Sequence, residues 1–109
     1  MPTTYKVLGQ VNPSATTATT LYTTPSSTST VVSTISVCNQ ASTAATFRIA
    51  VRPAGAALAA QHYVVYGATV PASDSTMITV GLTLATTDVV TVYASNANLS
   101  FNAYGSEIA

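Results

Sequence analysis

Charge is what this chain has least of. Three Lys and Arg and three Asp and Glu stand among 109 residues, 6% in all and formally balanced to zero, where an ordinary soluble domain carries roughly a quarter. The polar surface must therefore be mostly hydroxyl and amide. With no net charge there is little repulsion between copies, so self-association is expected. Lys6, Arg48 and Arg52 are the only basic residues, enough for a few phosphates at most, which sets aside nucleic acid and anionic membrane as partners.

Cysteine is nearly absent too. Cys38 stands alone, so neither an intramolecular disulfide nor a cysteine-rich zinc site can form, and the fold must hold by packing. Tryptophan is missing and aromatics reach only 7%, so the 48% hydrophobic content, with its large share of Ala, implies a thin core. No apolar run approaches the ~18 residues of a membrane-spanning helix. The opening MPTTYKVLGQV has neither a basic leader nor a long apolar run, unlike a signal peptide, and the expectation is synthesis and folding in a cytoplasm. The length suits one domain over residues 1–109.

What the chain does have is period-two alternation of β-branched residues. The stretch TVVSTISVCNQASTAATFRIAVRP, residues 30–53, reads as two strands around a polar turn at 39–43, expected to pair as a hairpin with a rather long loop. Strict alternation places Val31, Ile35 and Val37 on one face of the first strand and Val32, Thr34, Ser36 and Cys38 on the other. In the second it sets Phe47, Ile49 and Val51 against Thr46, Arg48, Ala50 and Arg52. Similar runs occupy residues 5–11, 17–24, 62–70, 77–84, 89–95 and 99–104, separated by Pro-, Gly-, Asn- and Asp-bearing turns. About eight short strands predict an all-β antiparallel sandwich, jelly-roll or immunoglobulin-like. The Ser/Thr/Pro-rich run 13–30 reads as a flexible stalk or as a strand anchored by Leu21 and Tyr22, and the strand is preferred. The Ala-rich segment 54–61 is expected to be one helical turn or a loop. Residues 1–12 are an N-terminal arm or an edge strand.

Catalytic chemistry finds little to work with. One His, two Asp, one Glu and one Cys are scattered through the chain, with no nucleophile elbow, no paired metal-ligand spacing and no glycine-rich phosphate loop. The expectation is no enzyme, no catalytic residue, no metal and no cofactor. His62 reads as a satisfied edge histidine, and Asp74 and Asp88, each just before a strand, as bonding the backbone of their own turns. Asn98-Leu99-Ser100 matches a glycosylation sequon by chance, and Cys38 is a small packing residue.

The aromatics offer another route to a ligand. Tyr22, Tyr63, Tyr66, Tyr93 and Tyr104 are candidates for a sugar platform or an interface, since a tyrosine ring packs while its hydroxyl stays wet. Alternation places Tyr63 and Tyr66 on opposite faces of one strand. Arg48 and Arg52, on one face, are candidates to meet an acidic partner, or are simply solvated there. An uncharged sheet edge is a template for further pairing, and a chain without edge charges is best protected by permanent assembly.

Three stretches, YKVLGQVNPSATTATTLYTTPSSTSTVVSTISVCNQ, FRIAVRPAG with QHYVVY, and GLTLATTDVVTVYASNANLSFNAYGSEI, together resemble small virion proteins of tailed bacteriophages, including cyanophages. The resemblance runs over almost the whole chain and carries no catalytic or binding motif. It implies a β-sandwich capsid cement (decoration) protein that stabilises the shell from outside through protein–protein contacts. Such a protein is assembled in the host cytoplasm, acts as a homo-oligomer such as a trimer, and has the major capsid protein as partner. A tail, baseplate or fibre component is the alternative within the virion, and a carbohydrate-binding adhesin domain the alternative of another class. Partner contacts are expected at Arg48, Arg52, Tyr22, Tyr63, Tyr66 and Tyr104.

Overall fold

Alternating Thr, Val and Ile build strands wherever they occur. The computed structural model describes residues 2–109 and contains eight strands: β1 (Thr3–Val11), β2 (Thr19–Thr23), β3 (Ser29–Asn39), β4 (Ala45–Arg52), β5 (Tyr63–Val70), β6 (Ser75–Leu84), β7 (Val89–Ala94) and β8 (Leu99–Ile108). The run 13–30 does contain a strand, β2, and Leu21 and Tyr22 anchor it in the core. The Ala-rich segment is a loop between two short 3-10 turns, Pro53–Gly55 and Ala60–His62. Thr3–Val11 is an edge strand, and Met1 lies outside the described residues.

Two four-stranded antiparallel sheets form, one in the order β1-β8-β3-β6 and the other β2-β7-β4-β5. Pairing runs β1 with β8, β2 with β7, β3 with β6 and β4 with β5, so the chain is one long ribbon folded over itself. That is the jelly-roll arrangement, distinct from the immunoglobulin order. Only the β4–β5 connection stays within a sheet; every other one crosses the sandwich.

The hairpin expected from residues 30–53 therefore does not form. β3 and β4 belong to opposite sheets, and their apolar faces, Val32, Ile35 and Val37 against Phe47 and Ile49, are buried in the same core. Apolar faces of this kind gain more from facing each other than from lying side by side, at about 25 cal/mol per Å² of apolar surface buried. Asn39 makes the corner between them. Its amide donates to the carbonyls of Thr43 (2.9 Å), Val70 (3.2 Å) and Pro71 (3.2 Å), while its Oδ1 accepts from the Ala41 N–H at 2.9 Å. Across the core, Phe47 and Phe101 meet edge to face at 6.0 Å.

Bulges correct the expected faces. In β3, Ser33 is an extra residue between Val32, opposite Gly105, and Thr34, opposite Tyr104. One inserted residue reverses the parity, so Val32 rather than Val31 joins Ile35 and Val37 inside. In β2, Leu21 is the extra residue, and Leu21 and Tyr22 are both buried. In β5, Val64 and Gly67 are unpaired against β4, and Gly67 takes the left-handed φ of 79° that suits glycine.

Candidate functional site

The first sheet's outer face can be read row by row, because residues directly opposed across strands share a face. Tyr5, Ser106, Val31 and Thr83 form one row. Val7, Tyr104, Thr34 and Thr79 form the next, and Gln10, Asn102, Ser36 and Met77 the third. None of these twelve positions carries a charge. Four of the chain's exposed large apolar side chains stand here: Tyr5 at 84% exposure, Met77 at 66%, Val7 at 47% and Tyr104 at 36%. Of these, only Tyr104 was among the expected contact residues. Met77 was legible as an apolar residue in phase with Thr79 and Thr83, the outward set of its strand; Tyr5 and Val7 were not, because Thr4 and Lys6 on the other parity of β1 are polar and mark them for the inward face.

The second sheet's outer face is different in kind. Arg48 stands in β4 directly between Tyr66 of β5 and Tyr93 of β7, and its guanidinium lies 4.2 Å from each ring centroid. Tyr63 meets Tyr66 at 4.9 Å, nearly perpendicular. Tyr63 and Tyr66 thus share a face, contrary to plain alternation, because the Val64 bulge reverses the phase between them. A hollow of about 490 Å³ opens beside them, lined by Tyr63, Tyr66, Leu58, Ala59 and Ala60. The last three come from the β4–β5 connection, so the one within-sheet loop builds the wall of the hollow.

The two arginines are used differently. Arg52 is tied into its own chain: Nε donates to Thr91 Oγ1 at 3.0 Å, and Nη1 donates to the carbonyls of Ala56 at 3.0 Å and Gly55 at 3.4 Å. It braces the loop that carries the hollow. Arg48 donates no hydrogen bond within the described residues and meets no carboxylate there, the ion pair among them being Lys6–Glu107.

Tyr22 is corrected from surface contact to core. It is 7% exposed and spans the gap between the sheets, its hydroxyl donating to Glu107 Oε2 at 2.5 Å and accepting from Thr30 Oγ1 at 2.8 Å. Lys6 closes the chain of contacts on Glu107 Oε1 at 3.1 Å. Burial, reinforced by the neighbouring carboxylate, pushes the Tyr22 phenol up to about 12. The Tyr22 hydroxyl, with help from Lys6, holds the Glu107 carboxyl below its ordinary range.

The two aspartates and the histidine are engaged by backbone. Asp88 accepts from the Ala54 and Ala85 N–H groups, each at 2.9 Å, and Asp74 from Ser75 N–H at 2.8 Å. His62 Nδ1 accepts from Ala59 N–H at 3.1 Å. Among the described residues no three His, Cys, Asp or Glu side chains come together, and no helix is long and apolar enough to cross a membrane. Cys38 is half-buried and free. No protein-family model matches the chain, and no curated protein matches it significantly.

Proposed function

We propose that the protein is a non-enzymatic virion structural protein of a tailed bacteriophage, a capsid cement protein that acts as a homo-oligomer and stabilises the shell by protein–protein contacts. The observation that carries this reading is the first sheet's outer face, twelve uncharged positions bearing Tyr5, Val7, Met77 and Tyr104. Four strands about 4.8 Å apart, with the rows spread over four to six residue steps of each strand, or roughly 17 Å, give an uncharged patch on the order of 300 Å², the centre of a contact that takes in the rest of this face to reach the ~800 Å² per partner of a standard interface. The occupant assigned to it is a second copy of the chain. An uncharged face meets its own copy without like-charge repulsion, and it loses no hydrated charge on burial. The jelly roll supports the same reading, as an architecture that recurs in viral capsid and lectin domains, as does the resemblance to phage virion proteins.

The test is immunogold labelling and mass spectrometry of purified particles, alongside light scattering of the recombinant protein. Label on the head together with a closed oligomer in solution is the expected result. Label confined to the tail transfers the protein to the tail or fibre reading, and absence from particles overturns the proposal.

A further inference from the structure

We propose that the second sheet's outer face binds a carboxylate-bearing sugar ring, as in an acidic polysaccharide, with Arg48 reading the carboxylate and the Tyr63/Tyr66 hollow holding the ring. This goes beyond a structural role, and it uses the face opposite to the one assigned to the second copy.

The argument starts from Arg48. Tyr66 and Tyr93, on the strands either side of β4, each bring a ring face to the guanidinium at 4.2 Å, and its N–H donors have no hydrogen-bond partner among the described residues. A guanidinium rim pairs bidentately with a carboxylate. Inside the chain that pairing is unused: Arg48 has no carboxylate partner among the described residues, Asp74 and Asp88 are committed to turns, and Glu107 is committed to Tyr22 and Lys6. The two stacked rings also hold the side chain in place, so little rotamer freedom is lost on binding.

Tyr66 joins the arginine to the hollow, since the same side chain stacks on Arg48 and lines the cavity. At about 490 Å³ the hollow falls within the roughly 300–1,000 Å³ of small-ligand sites. Its walls are two tyrosines and the apolar Leu58, Ala59 and Ala60. The C–H face of a pyranose ring packs on such aromatic and methyl surface, and the tyrosine hydroxyls remain to meet sugar hydroxyls. A carboxylate on that ring is the group that makes use of the neighbouring cation. Arg52 stiffens the loop that walls the site, through its bonds to the Gly55 and Ala56 carbonyls at the start of the loop.

The experiment is a titration of isotope-labelled protein, followed by amide NMR shifts, with tetragalacturonate and with the neutral cellotetraose. Expected are shifts at residues 58–60, Tyr63, Tyr66 and Tyr93 with the acidic tetramer, weakened by added salt, and affinity for cellotetraose at least about tenfold lower. Arg48→Gln should reduce the acidic-tetramer affinity about tenfold or more and bring it to the neutral level. Tyr66→Ala, at a side chain 65% exposed and therefore dispensable for folding, should weaken both tetramers. Spectra of both variants report directly whether they remain folded. Equal binding of the two tetramers, shifts mapping elsewhere, or no binding would overturn the proposal. A tetraglutamate peptide bound as tightly as tetragalacturonate would overturn the sugar assignment in favour of an acidic protein partner.

Discussion

Tyr22 of the second sheet donates its hydroxyl to Glu107 of the first, 2.5 Å away, and so ties the two sheets together at the edge of the core. With the Asn39 amide, which reaches from β3 to the Val70 carbonyl of β5, it is one of the polar links across a gap filled mostly by apolar side chains. Thr30 and Lys6 complete it, so the Tyr22 hydroxyl and both Glu107 carboxylate oxygens have partners.

Removing that hydroxyl should be costly. Tyr22→Phe keeps the ring but leaves Glu107 without its shortest donor, and should lower unfolding free energy by about 1–3 kcal/mol in chemical denaturation. Lys6→Met removes only a half-exposed ion pair and should cost under about 1 kcal/mol. Equal losses from the two variants would mean that the tether is not centred on Tyr22.

The same tether sets a pH window. The Tyr22 phenol is raised from 10.0 to about 12 in the folded state, so its contribution is complete below pH 10 and is lost as pH rises through about 12. Glu107 is lowered from 4.5, so its contribution is present above that value and is lost as pH falls toward the folded one. Stability measured against pH should therefore fall on both sides of a neutral plateau. Tyr22→Phe should flatten the alkaline limb, and Glu107→Gln should shrink the acid limb; an alkaline limb unchanged in Tyr22→Phe would assign it to other groups.

Two glycines should respond very differently to an added methyl. A Cβ at Gly105 would run into the backbone oxygen of Val31, beside the Ser33 bulge, where no side chain can move aside. Gly105→Ala should cost about 3 kcal/mol or more. Gly81 has open space around it and a φ of 59°, so Gly81→Ala should lose only the ~1–2 kcal/mol of a left-handed backbone. Thermal unfolding of the pair distinguishes crowding from strain.

Where two copies meet through the first sheet's outer face, as proposed, charge placed on that face should keep them apart. Val7→Lys with Met77→Lys changes two exposed side chains that contribute nothing to the core, at 47% and 66% exposure. The double variant should stay folded, within about 0.5 kcal/mol per site, and sediment as a monomer at concentrations where the unmodified chain associates. An oligomer that survives both lysines would place the homotypic contact on another face.

The sequence by itself determined that this chain is a sandwich of about eight strands, because period-two alternation and turn residues act over a few neighbouring positions and need no distant partner. It also determined the low charge of the surface and the employment of His62 and Asp74, and of Asp88 on Ala85 N–H, within their own turns, all local matters of composition or adjacency, whereas the second Asp88 bond, to Ala54 N–H, joins two loops distant in sequence. Tertiary structure alone decided which strands pair. β3 and β4, adjacent in sequence, lie in opposite sheets, while β1 and β8 at the two ends of the chain lie side by side. It also decided which face some residues occupy: single extra residues at Leu21, Ser33 and Val64 sent Tyr22 into the core, exchanged Val31 for Val32, and brought Tyr63 beside Tyr66. Alternation records only parity within a strand. A bulge changes that parity to suit the strand alongside, and so the Arg48–Tyr66–Tyr93 stack belongs to the folded ribbon and not to any one segment of it.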